Sequence, residues 1–212
     1  MNEEEKIFSG NMFDPLKKEL VRIKHNTHEQ CRLYNTLDEF DTAAREKILK
    51  EILGDIGPGF YIQGPIQFNY GSHLHIGRNF FANYNLTILD DAPVYIGDNV
   101  ALGPNVSLMA AAHPLLAEER MGTNADGITA FAEFAAPIRL GSNLWLGANV
   151  TVLGGVVIED NCVIGAGSVV TRNIPKGYLA YGNPCCPVRP ITEQDSERSR
   201  ILAEDTAHFS FK

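Results

Sequence analysis

The chain has 212 residues, 44% hydrophobic and 21% charged, a composition that fits one sizeable core with a small appendage and excludes disorder, collagen and coiled coil. Eighteen Lys and Arg against 26 Asp and Glu leave a net charge of −8, which speaks against gripping a phosphate backbone or an anionic membrane. No apolar run approaches the roughly 20 residues of a spanning helix. The start, MNEEEKIFSG, is acidic where a secretion signal would be basic and then apolar, so a cytoplasmic protein is expected.

Residues 1–55 carry helical texture. Ile7, Phe8, Met12, Leu16, Leu20 and Ile23 fall at three- and four-residue steps among charged neighbours, which predicts one amphipathic helix. A second helix is expected through Ala43, Ala44, Ile48, Leu49, Ile52 and Leu53, opened by the capping-box spacing of Thr36 to Glu39 and stopped at Gly54. Together they make an N-terminal helical cap.

From about Tyr61 a six-residue repeat takes over. Aliphatic residues stand at Leu140, Leu146, Val152, Ile158, Ile164 and Val170, followed in four cases by the turn-compatible Gly141, Gly147, Glu159 and Gly165. A looser array precedes it at Ile76, Ala82, Ile88, Ile96, Leu102 and Leu108. A second small or apolar residue lies four places on, at Val100, Val106, Leu144, Val150, Val156, Cys162 and Ser168. A fixed hexad predicts short strands stacked into a parallel β-helix over residues 56–190, rather than a sandwich with strands of varied length. Between Leu108 and Leu140 the register is lost. A structureless loop over 109–137 is expected there, and a long loop inside a repeat is more often functional than slack; it contains His113, Pro114, Glu118, Glu119, Arg120, Asp126 and Glu133. After Pro175 the hexads end. Thr192 to Asp195 has the spacing to open a short C-terminal helix carrying Ile201 and Leu202 in a tail over 191–212.

Four cysteines, Cys31, Cys162, Cys185 and Cys186, have neither zinc-pair spacing nor the density of a disulfide-stapled domain. Six histidines lack a His-x4-His spacing, and no metal is expected.

The hexads, the segment NFFANYNLTILDD (79–91), the loop opening AAHPL (111–115), the run at 142–175 and the stretch GNMFDPLKKEL at 10–20 resemble the maltose, galactoside and nodulation O-acetyltransferases of the hexapeptide-repeat superfamily. The resemblance implies a left-handed β-helix with three hexads per coil, and a homotrimer whose active sites lie between subunits. In that picture the protruding loop reaches a neighbour and acetyl-CoA runs along the groove. His113 then corresponds to the general base. Asn83 matches the asparagine that meets the acceptor hydroxyl and the developing oxyanion, and Asp91 the sugar-binding aspartate. Asn69 occupies an acceptor-contact position that holds serine in galactoside enzymes, and Glu133 is a further candidate to orient His113 or meet the acceptor. The donor contacts fall on Ala148, Ala166, Thr171, Arg172 and Arg189, with Trp145 beside the groove. Asn85 is read as a ladder residue and Asp90 as a solvated turn residue. Pro15 replaces a family aspartate, with Asp14 one place earlier; Cys186 replaces a family arginine; and the loop insertion GTNADGITAFAEF (122–134) is extra. The expected reaction is transfer of acetyl from acetyl-CoA to a hydroxyl of a sugar or small glycoside. The alternatives are a non-sugar acceptor (antibiotic, serine or amine), a zinc enzyme on the same scaffold, or a non-catalytic trimer.

Overall fold

A computed structural model describes residues 1–124 and 127–198. Within the repeat, strands that follow one another in sequence do not pair. Each pairs instead with the strand one coil above and below, in parallel, so that three sheets form the faces of a solenoid. The first face holds Asp55–Ile56, Leu74–Ile76, Val94–Ile96, Ile138–Leu140 and Val157–Ile158. The second holds Tyr61–Ile62, Phe81–Ala82, Ala101–Leu102, Trp145–Leu146 and Val163–Ile164, and ends in a hairpin of Tyr178–Gly182 with antiparallel Cys185–Pro190. The third holds Ile66–Phe68, Leu86–Leu89, Ser107–Met109, Thr151–Leu153 and Val169–Val170. The hexad aliphatics all point inward and are buried, as are the residues four places on. Stacked identical positions thus make one continuous apolar column, the driving force of a repeat fold.

Two of the three corners are built from asparagine. Between the first and second faces, Asn79, Asn99, Asn143 and Asn161 donate each to the next at 2.9 Å. Between the second and third, Asn85, Asn105 and Asn149 do the same at 2.9 and 3.0 Å. All seven have φ between 55° and 63°, the left-handed region that asparagine tolerates better than other residues bearing a Cβ. The ladder therefore both permits the turn and ties the coils together. Asn85 stands in it as expected.

The third corner follows no such rule. Eight residues separate Ile88 from Ile96, whereas six separate Val152 from Ile158, so the six-residue phase slips by two in the lower coils. The extra residues fall at Asn69 and Tyr70 in one coil and Asp90 and Asp91 in the next. In the following coil the whole excursion leaves from this corner. Its neck is closed by the Ala136 N–H donating to the Ala110 carbonyl at 3.0 Å. Gly154 lies against that neck; a Cβ there would sit 2.8 Å from the Ala110 carbonyl oxygen, closer than real contacts allow.

The base of the solenoid is covered by helices. These are α1 (Glu3–Phe8), α2 (Lys18–Thr36) and α3 (Thr42–Ile52). The single first helix expected from the apolar spacing is in fact two. Gly10 takes φ +70°, Met12 and Leu16 are exposed, and Phe13 leaves the helical path to pair with Glu133. The expected capping box also moves. Thr36 is the last residue of α2, and α3 is capped by Asp41, which accepts from the Ala44 N–H at 3.2 Å. Gly54 follows the end of α3 where a Cβ would collide with the Ser72 carbonyl oxygen. Asn35 of α2 completes the open edge of the lowest third-face strand, donating to the Ile66 carbonyl at 2.9 Å and accepting from its N–H at 2.8 Å, which answers the edge problem of a solenoid end.

The excursion is folded, contrary to the structureless loop expected from its sequence. Ala111–Ala112 pairs antiparallel with Phe134–Ala135, a short helix α4 (Ala117–Arg120) follows, and Met121–Thr123 pairs with Thr129–Phe131. At the far end, Thr192 makes the expected capping box with Asp195, but it opens a single 3-10 turn, Glu193–Asp195. The helix expected around Ile201 and Leu202 lies outside the described residues. All four cysteines are free, with Cys186 exposed. Among the described residues no helix is long and apolar enough to cross a membrane, and no cluster of three metal-ligating side chains forms.

Candidate active site

The third corner gathers four of the predicted site residues. Asn69 donates through Nδ2 to both carboxylate oxygens of Asp91, at 2.9 and 3.2 Å. Its own Oδ1 lies 3.2 Å from Nε2 of His28 on α2. Asp91 has no exposed surface. Burial pushes its carboxyl up, against the pull of the Asn69 amide and the Lys24 ammonium. Asp90 does not face solvent as expected. It is fully buried, and its Oδ1 accepts from the backbone N–H groups of Asn69 and Tyr70 at 3.0 and 2.8 Å. Its carbonyl oxygen lies 2.8 Å from Nδ1 of buried His73. Asp90 thus holds the corner together while Asp91 turns toward the cap and the excursion.

The excursion brings His113 and Glu133 to the same corner. His113 is exposed just past the strand Ala111–Ala112, and its Nδ1 lies 2.8 Å from the Ala132 carbonyl oxygen. A carbonyl can only accept, so Nδ1 carries a proton, and in the neutral imidazole the lone pair is then on Nε2. The Phe131 ring lies beside the imidazole at 6.0 Å between centroids. Glu133 is half-buried. Its carboxyl is pushed up to about 7 by burial and then by the Asp91 carboxylate, with Lys24 and His113 opposing. Its backbone accepts from the Phe13 N–H at 2.8 Å, which pins the excursion to the cap. Asp14, next to the Pro15 departure, accepts from Asn124 Nδ2 of the insertion at 2.8 Å. The inserted segment therefore packs against the cap, leaving a cavity of about 280 Å³ lined by Phe13, Asp14, Met121, Phe131 and Ala132.

The remaining candidates lie elsewhere. Asn83 sits at the corner between the second and third faces, and its Oδ1 accepts from the Tyr84 N–H at 2.8 Å. The amide is thereby oriented with Nδ2 free to donate outward. Ala148 and Ala166 occupy the same corner in higher coils, at the place where Tyr84 stands below. Neither has a side chain beyond Cβ, so an extended arm can lie against backbone there. Trp145, 58% exposed, begins an outward row across the second face through Val163 and Leu179 to Arg189. Three strand spacings make that row about 14 Å long. Arg189 is already engaged: its guanidinium meets both Asp195 oxygens at 2.8 and 2.6 Å and holds that carboxyl down at about 2. Thr171 and Arg172 are exposed just beyond Val169–Val170, at the top of the third face.

Within one chain, then, Asn69, Asp91, His113 and Glu133 stand on one edge of the third face. Asn83, Ala148 and Ala166 stand on the other edge, beyond a strand such as Leu86–Leu89, about 13 Å long. The sequence reasoning missed Lys24, whose ammonium acts on both Asp91 and Glu133, and Tyr70, whose ring lies 5.7 Å from Lys24 Nζ. Lys24 is one cation among many on a polar helix, and nothing in its spacing marks it. Adjacency to Asn69 was the only available signal for Tyr70.

Comparison with known proteins identifies the family. Residues 6–57 match the maltose acetyltransferase hexapeptide capping motif, and residues 137–172 match the bacterial transferase hexapeptide with six repeats. The galactoside O-acetyltransferase of Escherichia coli is 38% identical over 191 residues, covering 90% of this chain and 90% of the relative. Among solved structures, a galactoside acetyltransferase in complex with coenzyme A superimposes with a TM-score of 0.84 at 38% identity, covering 92% of this chain and 94% of that one. A maltose O-acetyltransferase from Clostridium difficile 630 gives 0.81 at 38% identity, covering 91% and 99%. The chain belongs to the maltose and galactoside O-acetyltransferase family of hexapeptide-repeat transferases.

Proposed function

We propose that this protein transfers acetyl from acetyl-CoA to a hydroxyl of a sugar or small glycoside, in the cytoplasm, as a homotrimer. The observation that carries the reading is the Ala132 carbonyl on His113, which fixes the tautomer a general base needs. Acetyl-CoA supplies the electrophilic thioester carbonyl and a thiol leaving group. The acceptor oxygen attacks that carbon while its proton passes to His113 Nε2; the C–S bond then breaks and the proton leaves with the thiol. Asn83 Nδ2, held outward by the Tyr84 N–H, donates to the oxyanion without a charge to desolvate. Asp91 accepts from acceptor hydroxyls, with Asn69 restraining its carboxylate. Both substrates must be held together, because no enzyme nucleophile is needed.

The donor fits the second corner. Ala148 and Ala166 leave room for the pantetheine arm, Trp145 offers an exposed aromatic face, and the exposed Thr171, Arg172 and Arg189 would supply polar and phosphate contacts. The two halves of the chemistry lie on opposite edges of the third face, so one chain cannot use its own pair. A closed ring of copies joins the His113 edge of each to the Asn83 edge of the next, which supports the trimer expected from the resemblance. Four free cysteines fit a reducing compartment.

The test is release of free CoA thiol from acetyl-CoA across mono-, di- and thioglycosides, for wild type and His113→Ala. Acceptor-dependent release that falls by about 10²-fold or more in the variant is expected. Release retained by the variant removes His113 as the base.

A further inference from the structure

Tyr70 presents a problem that the proposed reaction resolves. The side chain is 1% exposed, its hydroxyl is buried, and that hydroxyl has no hydrogen-bond partner. Every other contact of the residue is satisfied. Its N–H donates to Asp90 at 2.8 Å, its carbonyl accepts from the Thr27 hydroxyl of α2 at 2.8 Å, and its ring stacks on His73 at 4.7 Å with 13° between planes. Backbone, ring and neighbours therefore fix where the hydroxyl points. The charged groups acting on it are, in order, the carboxylates of Asp91, Glu133, Asp90 and Glu4. The first two are the carboxylates of the acceptor corner. A buried hydroxyl left unpaired costs free energy that a phenylalanine would not, so packing alone gives no reason for a tyrosine here.

We propose that Tyr70 is an acceptor-positioning residue: its hydroxyl donates to an oxygen of the bound sugar at the corner that holds Asp91. The inference rests on the reading of this corner as the acceptor site and adds a residue to it. A phenol suits the task because it donates one hydrogen bond in a defined direction and can accept another. Burial and the surrounding carboxylates push its ionisation far above the ordinary range, so it remains a donor at any working pH. The polyhydroxyl surface of a sugar provides the missing partner, and an acceptor without a second oxygen near the reacting one does not. The stacked His73, itself 3% exposed and held to the Asp90 carbonyl, stops the ring from swinging aside when the pocket is empty.

The deciding experiment is Tyr70→Phe in the full chain, measured three ways: KM and kcat for maltose and for a methyl galactoside, KM for acetyl-CoA, and melting temperature without substrates. The expected result is a KM for the sugar raised about 3- to 10-fold, the size of one neutral hydrogen bond. The KM for acetyl-CoA stays unchanged, and the melting temperature is unchanged or higher. A hydroxyl with a purely structural role would move only the melting temperature. Unchanged sugar kinetics in an active enzyme would overturn the assignment of Tyr70 and leave the acetyltransferase reading intact. A drop in melting temperature with all kinetic constants impaired together would also overturn it, because the residue would then be serving packing. Wild-type protein that releases no thiol with either sugar, and binds neither by calorimetry, overturns both.

Discussion

Two kinds of corner occur in one solenoid, and they divide the work. The first two corners repeat the same asparagine in the same left-handed conformation, coil after coil, each amide bonded to the next. The third has no ladder, runs two residues longer in the lower coils, and there buries Asp90 and Asp91 and releases the excursion that carries His113 and Glu133. A repeat that secures two corners leaves the third free to be irregular, and the irregular corner is where titratable groups can be buried with individual partners. Asn83 marks the exception: it lies on a ladder corner, yet in the row where higher coils carry glycine.

The sharpest way to break this division is complementation. His113→Ala and Asn83→Ala variants are each expected to lose about 10²-fold in rate when assayed alone. Unfolding, mixing at equal amounts and refolding should restore about a quarter of wild-type activity, since a random ring pairs an intact His113 edge with an intact Asn83 edge that often. Failure to regain activity would mean that both groups serve one chain's own site. Next in size is the ladder. Asn143→Ala removes one donated and one accepted bond and places alanine at φ +57°, and should cost about 1–2 kcal/mol in denaturant unfolding while kcat of the folded protein is unchanged.

Glu133 sharpens the other side of the comparison. Its carboxyl rises from an ordinary value near 4.5 to about 7 in the folded protein, so the native state binds the proton more tightly than the unfolded chain. That stability is fully present below about 4.5 and is lost as pH rises through about 7. Glutamine cannot ionise. The melting temperature of Glu133→Gln, relative to wild type, should therefore climb between pH 5 and 8, and an ionisation near 7 should vanish from its pH–rate profile. The smallest effect is expected at Asp195→Ala. Freeing Arg189 from its bidentate partner should lower the KM for acetyl-CoA by about 2- to 5-fold, provided that Arg189 meets a phosphate. A raised KM would show instead that Asp195 holds Arg189 in its working position.

Most of the solenoid was legible because it repeats: Leu140 through Val170 state the period six times, and each aliphatic is buried as that period requires. The lower coils read loosely because the two-residue extension at the third corner shifts the phase. Helix ends were misread where tertiary contact overrode local pattern. Phe13 pairs with Glu133, 120 residues away, and a capping-box spacing at Thr36 lost to Asp41. In the site, His113 and Asp91 were legible only through a resemblance. The tautomer of His113 depends on a backbone carbonyl, which has no sequence signature at all. Arg189 was read as a donor contact, and its partner Asp195 could not be found without the hairpin that aims one at the other.

The single hydrogen bond between Ala110 and Ala136 has a consequence for how such a protein can change. It closes the coil as though residues 111–135 were absent, so the solenoid senses the ends of the excursion and not its length. Segments of different size can be grafted at that point without disturbing a coil above or below, provided position 154 remains glycine. Acceptor preference can thus diversify by exchange of one cassette on a scaffold whose folding information lies elsewhere.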